Sequence, residues 1–258
     1  MAHDIINLDT WLSSTAAGDY VRTLQQKQFD DAVTDIFGYH ALQIGATGIQ
    51  GLKESRIQHI WYAASTTPSA RSAQGSQKAT FNFFTAPEAL PFKDNQLDLI
   101  LLPHTLESCH QPHTALREAA RVLRPEGKMI LTGFNSTRIL GVRPRKELKQ
   151  WGAPIGYWRL LDWLKLLELE IVHTSSGCYL PNLSNAKWIE RLSWLDRVAH
   201  QHVKFLGGIY FIVASKHIKG ARLLEPDWRS KNSNRHKSAL PVTPSQARQP
   251  FKPISINQ

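Results

Sequence analysis

The sequence predicts an α/β fold built on a mostly parallel sheet, and three observations carry that prediction. Residues 97–102 (Leu-Asp-Leu-Ile-Leu-Leu) form a nearly continuous apolar run, which is typical of a strand buried on both faces of a parallel sheet. A helix starting at Pro112, a turn at 125–127 and a strand at 128–134 complete a right-handed βαβ unit. The aromatic and β-branched run 208–214 predicts a last strand, and because no regular crossover joins it to the strand at 170–175, these two late strands fit an antiparallel pair at one end of the sheet.

The other elements follow from apolar residues at helical or strand spacing. In chain order they are a helical segment at 8–37 with a weak point at Gly18, strands at 40–44, 57–63 and 78–84, helices at 157–167 and 187–200, and a strand at 170–175. The glycine after strand 40–44 predicts a tight turn there.

Length and charge suggest three parts. A chain of 258 residues can form one well-buried α/β domain with an appendage. We predict an N-terminal helical segment at 1–37, a main domain at 38–218 and a basic tail at 219–258. The tail holds eight Lys and Arg against two acidic residues, in a chain of net charge +10, and few large apolar side chains. We expect disorder from about residue 230, with either weak nucleic-acid contact or a solubilising role.

Composition excludes several classes of protein. Cys109 and Cys178 are far apart and form no CxxC pattern, which argues against a disulfide framework or a structural zinc site and fits a reducing cytosol. No apolar run approaches the length of a membrane span, and residues 1–9 do not look like a signal peptide. We therefore expect a cytoplasmic protein that does not enter a membrane.

Residues 90–134 resemble a known family. The segment Leu-Pro-Phe-Lys-Asp-Asn-Gln-Leu-Asp at 90–98 is similar to the LPF-x-D-x-x-F-D signature of type-11 methyltransferases, and 117–127 (Arg-Glu-Ala-Ala-Arg-Val-Leu-Arg-Pro-Glu-Gly) resembles their REhxRVLxPGG. More closely, the chain looks like a group of uncharacterised proteobacterial methyltransferase-like proteins whose N-terminal helix leads into FGYHxLQxG, as at 37–45 here. The resemblance implies a Rossmann-like, seven-stranded sheet with an antiparallel last strand. It also implies a cofactor, S-adenosylmethionine, across the carboxyl ends of the first strands.

The resemblance also implies which residues meet the cofactor. The positions that match the family's cofactor contacts are Gln43, Gly45, Ala46, Thr47, Gly48, Ser65, Ala86, Pro87 and Pro103. Three polar anchors depart from the family, because Gln43, Ser65 and Ala86 stand where acidic side chains are usual, and the middle glycine of the family's G-x-G-x-G is also lost. Charge-assisted hydrogen bonds are the strong ones, so these changes should weaken cofactor binding.

His104 is the candidate catalytic base, since it follows the strand whose end faces the substrate in this fold. A loop histidine bonded to the backbone is the alternative, and Glu107 can serve as an acid near a helix N-terminus. The spacing of the nearby histidines matches no compact metal motif, so we predict no metal. The basic loop 138–149 would attract an anionic acceptor, or else forms a solvated lid.

Two functions remain open. The first is an S-adenosylmethionine-dependent methyltransferase acting on a small molecule or a nucleic acid, with an anionic acceptor as one option. The second is a catalytically degenerate methyltransferase-fold protein that serves in binding or regulation, which the missing acids favour. A nicotinamide-dependent oxidoreductase is disfavoured, because it would need G-x-G-x-x-G after the first strand.

Overall fold

The structure is a computed structural model, and part of the chain is described. The described residues are 8–64, 82–135, 152–178 and 207–217. The predictions that lie outside them concern Ser65, the loop 138–149, the helix at 187–200 and the tail at 219–258. No helix within the described residues is both long and apolar enough to span a bilayer.

Seven strands form one sheet in the order β3-β2-β1-β4-β5-β7-β6. They are β1 (His40–Ile44), β2 (His59–Ala64), β3 (Phe83–Phe84), β4 (Leu97–Pro103), β5 (Leu123–Phe134), β6 (Leu169–Gly177) and β7 (Ile209–Lys216). Neighbouring strands from β3 to β5 pair in parallel, whereas β7 lies antiparallel to both β5 and β6. The predicted α/β fold with a mostly parallel, seven-stranded sheet and an antiparallel last strand is confirmed.

Alternation along the strands divides the core between the two faces of the sheet. In β4, Leu99 and Leu101 enter one core, and Ile100 and Leu102 enter the other. The helices are α1 (Leu8–Ser14), α2 (Ala16–Val33), α3 (Thr105–Ser108), α4 (Pro112–Val122) and α5 (Tyr157–Leu166). Helices α1 and α2 contribute to the first core, and α4 and α5 to the second.

The N-terminal segment forms two helices, and the break lies at Thr15 rather than at the predicted weak point. Thr15 adopts an extended conformation, and its Oγ1 accepts a hydrogen bond from Gly18 N at 2.9 Å, which caps α2. A Cβ atom at Gly18 would overlap the carbonyl oxygen of Trp11. Glycine at this position therefore allows α1 to fold back closely on α2.

The two sequence signatures meet in space around one arginine. Arg121, in α4, donates to the carbonyl oxygen of Phe92 at 3.0 Å and to both carboxylate oxygens of Glu118. Glu118 Oε1 in turn accepts from Leu90 N at 3.0 Å. These bonds hold the Leu-Pro-Phe turn against α4, so this part of the family signature has a structural role.

The predicted turn at 125–127 lies inside β5. Pairing between β4 and β5 shifts from Leu97↔Leu123 to Leu99↔Lys128, so residues 124–127 bulge out of the ladder. Glu126 within the bulge has a φ of 62°.

Candidate active site

The candidate site lies where the carboxyl ends of β1 and β4 meet. The chain leaves β1 towards β2 on one side, while β4 pairs with β1 on the other. In open α/β sheets, this reversal of strand order leaves a crevice that binds ligands. The residues after β1 and β4 are therefore the first to consider.

Gly45 turns the chain sharply at the end of β1. Its φ is +90°, a conformation that side-chain-bearing residues rarely adopt. A Cβ atom there would lie 2.5 Å from Thr105 Oγ1 and 2.9 Å from the carbonyl oxygen of Pro103. Pro103, the last residue of β4, is itself buried. The turn predicted at 45–48 is present, and it requires glycine at its first position.

Gln43 braces this loop from within. Its side chain is buried, its Nε2 donates to the carbonyl oxygen of Ile49 at 2.5 Å, and its Oε1 accepts from Gly51 N at 2.9 Å. Gln43 is predicted to contact the cofactor, yet both ends of its amide are engaged by the loop itself. An acid could accept from Gly51 N but, when ionised, could not donate to Ile49.

Asp9 covers the outer side of the same loop. Its Oδ2 accepts from Thr47 Oγ1 at 2.9 Å, and its Oδ1 accepts from Gly48 N at 3.3 Å. Ala46, the residue before Thr47, is buried in the core to which α1 and α2 contribute. From the sequence, Asp9 is expected only to cap a helix, and no local pattern predicts a contact 38 residues away.

Gly48 is the open position of the loop. The residue is exposed, and among the described residues beyond its two chain neighbours, Asp9 alone has an atom within 4 Å of a Cβ built there, with Oδ1 at 3.9 Å. Backbone at Gly48 is therefore accessible to a ligand wherever Asp9 does not cover it.

Near the ends of β2 and β3, no acidic side chain occupies a described position that matches a cofactor contact of the family. β2 ends at Ala64, and the next position, Ser65, lies outside the described residues. Ala86 is exposed and sits in a tight turn in which Ala89 N donates to its carbonyl oxygen at 3.0 Å. Pro87, in the middle of that turn, is buried.

His104 lies directly after β4, buried beneath α2. Its φ is 51°, its Nδ1 is 2.9 Å from Glu107 Oε2, and its Nε2 is 2.8 Å from Gln25 Nε2. The ring also packs against Phe134, with 4.4 Å between ring centroids. Its ring partners are thus side chains rather than the backbone expected for an ordinary loop histidine.

Glu107 links His104 to β5. Its Oε1 accepts a hydrogen bond from Phe134 N, and its side chain is buried. A neutral imidazole protonated on Nδ1 would donate to Glu107 and accept at Nε2 from the Gln25 amide. In that tautomer, Glu107 orients the imidazole and the Nε2 lone pair faces the Gln25 amide of α2.

Sequence reasoning missed Gln25 and Tyr210. Gln25 is buried between Val21 and Phe29 on the apolar stripe of α2, and this polar interruption was the one local signal. Tyr210 looks like an ordinary strand residue in the sequence. Burial raises the pKa of Tyr210 well above its usual range, and the nearby charge of Glu107 raises it further.

Comparison with known proteins identifies the fold. A family model for a methyltransferase domain matches residues 50–131. A chain from the complex between the Haloferax volcanii Trm112 methyltransferase activator and a methyltransferase is similar, with a TM-score of 0.54 and 14% identity over 84% of this chain and 100% of that chain. A SAM-dependent methyltransferase from Thermotoga maritima has a TM-score of 0.53 and 19% identity, over 76% and 91%. The protein has the Rossmann-like methyltransferase fold.

One relative matches this chain over nearly its whole length and shows which family the chain belongs to. The uncharacterized protein YafS of Escherichia coli (strain K12) is 30% identical over 239 residues, which is 90% of this chain and 90% of YafS. The chain belongs to the family of YafS, and its residues 50–131 carry the match to the methyltransferase domain model.

Proposed function

We propose that this protein is an S-adenosylmethionine-dependent methyltransferase that binds its cofactor over the carboxyl ends of β1 and β4. The observation that carries the proposal is the Gly45 turn, which has a positive φ and lies at the strand-order reversal of a methyltransferase sheet. The acceptor is a small molecule or a nucleic acid. An anionic acceptor would suit a chain with 31 basic and 21 acidic residues.

The residues present fit the cofactor through backbone rather than through charged anchors. Gly45 provides the bend, and exposed Gly48 provides backbone that a ligand can approach closely. Gln43 would act indirectly, by holding the loop in shape through Ile49 and Gly51. We therefore expect weaker cofactor binding than in a family member with acidic anchors.

When bound, S-adenosylmethionine supplies an electrophilic methyl group on a sulfonium centre. The protein's own contribution is to orient the acceptor and exclude water, which can provide much of the rate enhancement. His104 is our proposed base for an acceptor that must lose a proton, with Glu107 as its positioning residue. Since Gln25 faces His104 Nε2, an acceptor must take the place of that amide before the proton can move.

Calorimetric titration with S-adenosylmethionine and S-adenosylhomocysteine tests the proposal. The variant Gly48→Val should abolish binding without unfolding the protein, because Gly48 is exposed and lacks a positive φ. Gln50→Val, on the exposed surface of the same loop, is the matched control and should bind like wild type. If wild type at millimolar ligand gives no heat of binding and no thermal shift, the proposal is overturned.

A second candidate function is a methyltransferase-fold protein that binds a partner and no cofactor. The specific observation in its favour is that the protein's own side chains, Asp9 and Gln43, satisfy donors and acceptors of the glycine loop. The same titration separates the two functions, since only the first requires adenosyl ligands to bind.

A further inference from the structure

Asp9 presents a carboxylate to two donors of the glycine loop. Thr47 Oγ1 and Gly48 N converge on its two oxygens at 2.9 and 3.3 Å. The Thr47 hydroxyl and the Gly48 N–H are thus two hydrogen-bond donors, at the edge of the site, that together can bind one carboxylate. A ligand carboxylate is the group that would replace Asp9 there at the least cost in hydrogen bonding.

The position of Asp9 allows such a replacement. The residue belongs to the first turn of α1, whereas the buried anchors of that helix, Trp11 and Leu12, come later in the same helix. A change of rotamer at the Asp9 side chain alone would break both contacts, with Trp11 and Leu12 still in the core. Gly48 becomes accessible at the same moment, since Asp9 is the one non-neighbouring residue within the described ranges that approaches it within 4 Å.

We propose that Asp9 is an internal competitor that occupies the glycine loop and must be displaced by the carboxylate of the adenosyl ligand's methionine moiety. This inference rests on the proposed function, because it assumes that such a ligand binds at this loop. The Asp9 side chain then acts as a built-in competitor, and the apparent affinity for the ligand is reduced by the fraction of molecules in which Asp9 occupies the loop.

Alanine substitution of Asp9 tests the inference. Asp9→Ala should bind S-adenosylhomocysteine roughly tenfold more tightly than wild type, because two hydrogen bonds to the competing carboxylate no longer have to be broken. Asp19→Ala is the matched control, since Asp19 is an exposed acid in the first turn of α2 that pairs with Arg22. It should leave the affinity unchanged.

A ligand without a carboxylate separates exchange of carboxylates from simple opening of the site. 5′-Methylthioadenosine keeps the nucleoside and the thioether but lacks the amino-acid end, so Asp9→Ala should change its affinity less than twofold. Tighter binding of both ligands to the same extent would overturn the carboxylate exchange.

The remaining outcomes are also decisive. Unchanged or weaker binding of S-adenosylhomocysteine to Asp9→Ala, with clear binding to wild type, would show that Asp9 only braces the loop and would overturn this inference alone. Absence of binding of either ligand to wild type and both variants would overturn the proposed function and this inference together. Circular dichroism and thermal unfolding of each variant establish that the comparison is made on folded protein.

Discussion

Replacing Gln43 by glutamate restores the acid that the wider family carries, and the structure predicts that it destabilises this protein. The Gln43 amide donates to the Ile49 carbonyl and accepts from Gly51 N. A protonated carboxyl group can reproduce both bonds, whereas an ionised one faces the Ile49 carbonyl oxygen without a proton. The effect of Q43E should therefore depend on pH.

The direction of this pH dependence follows from burial, because Gln43 is only 2% exposed. In the folded state, burial and the Ile49 carbonyl oxygen raise the pKa of the introduced carboxyl group. In the unfolded chain, that pKa stays at about 4.3. The folded state then holds a proton that the unfolded state has lost, so stability falls as pH rises. The loss is at most about 1.4 kcal/mol per pH unit, or up to about 4 kcal/mol between roughly pH 5 and 8.

Urea unfolding of Q43E and wild type at several pH values measures this loss. Gln50→Glu adds the same charge to an exposed position of the same loop, and its unfolding free energy should stay within about 0.5 kcal/mol of wild type. The reasoning is refuted if Q43E follows Gln50→Glu at every pH. It is also refuted if Q43E binds S-adenosylmethionine more tightly at no cost in stability, since Gln43 would then be a free ligand position.

Three further predictions concern titratable groups. The hydrogen bond from Arg121 lowers the pKa of Glu118, so Glu118 stabilises the fold above its ordinary pKa and loses that contribution as pH falls. E118Q should therefore flatten the acid limb of the pH–stability curve, and an unchanged limb would contradict this. Burial raises the pKa of Cys109 to about 12, so at neutral pH its thiol should react with iodoacetamide far more slowly in the folded protein than in urea, as mass spectrometry can follow. The phenol of Tyr210, buried beside Glu107, should stay neutral at about pH 10, so Y210F should leave the ultraviolet tyrosinate titration of the folded protein unaltered; a lost ionisation step would argue that this ring is exposed.

The parts of the fold that the sequence predicts well are those with a strong local pattern. The apolar run of β4 is typical of a strand buried on both faces, and Pro112 marks the start of α4 because proline suits the first turn of a helix. Gly45 predicts its own turn for a steric reason, since only glycine adopts that φ without strain beside Pro103 and Thr105.

The site itself depends on contacts that no local pattern encodes. Gln25 meets His104 across 79 residues, and Asp9 meets Thr47 across 38. These contacts follow from the angle and rotation at which α1 and α2 cross the sheet, which arise from packing of the whole core. Sequence periodicity gives the buried face of a helix but not the residue of the sheet that each side chain will face.

The N-terminal helices have a practical consequence for anyone who shortens this chain. A fragment that begins at residue 38 would keep every strand of the sheet, yet it would bare the apolar surface on which Trp11 and Phe29 rest. Such a fragment should aggregate even though its sheet is intact, because wide patches of uncovered hydrocarbon promote self-association. Helices α1 and α2 thus belong to the folding unit as much as the sheet they protect.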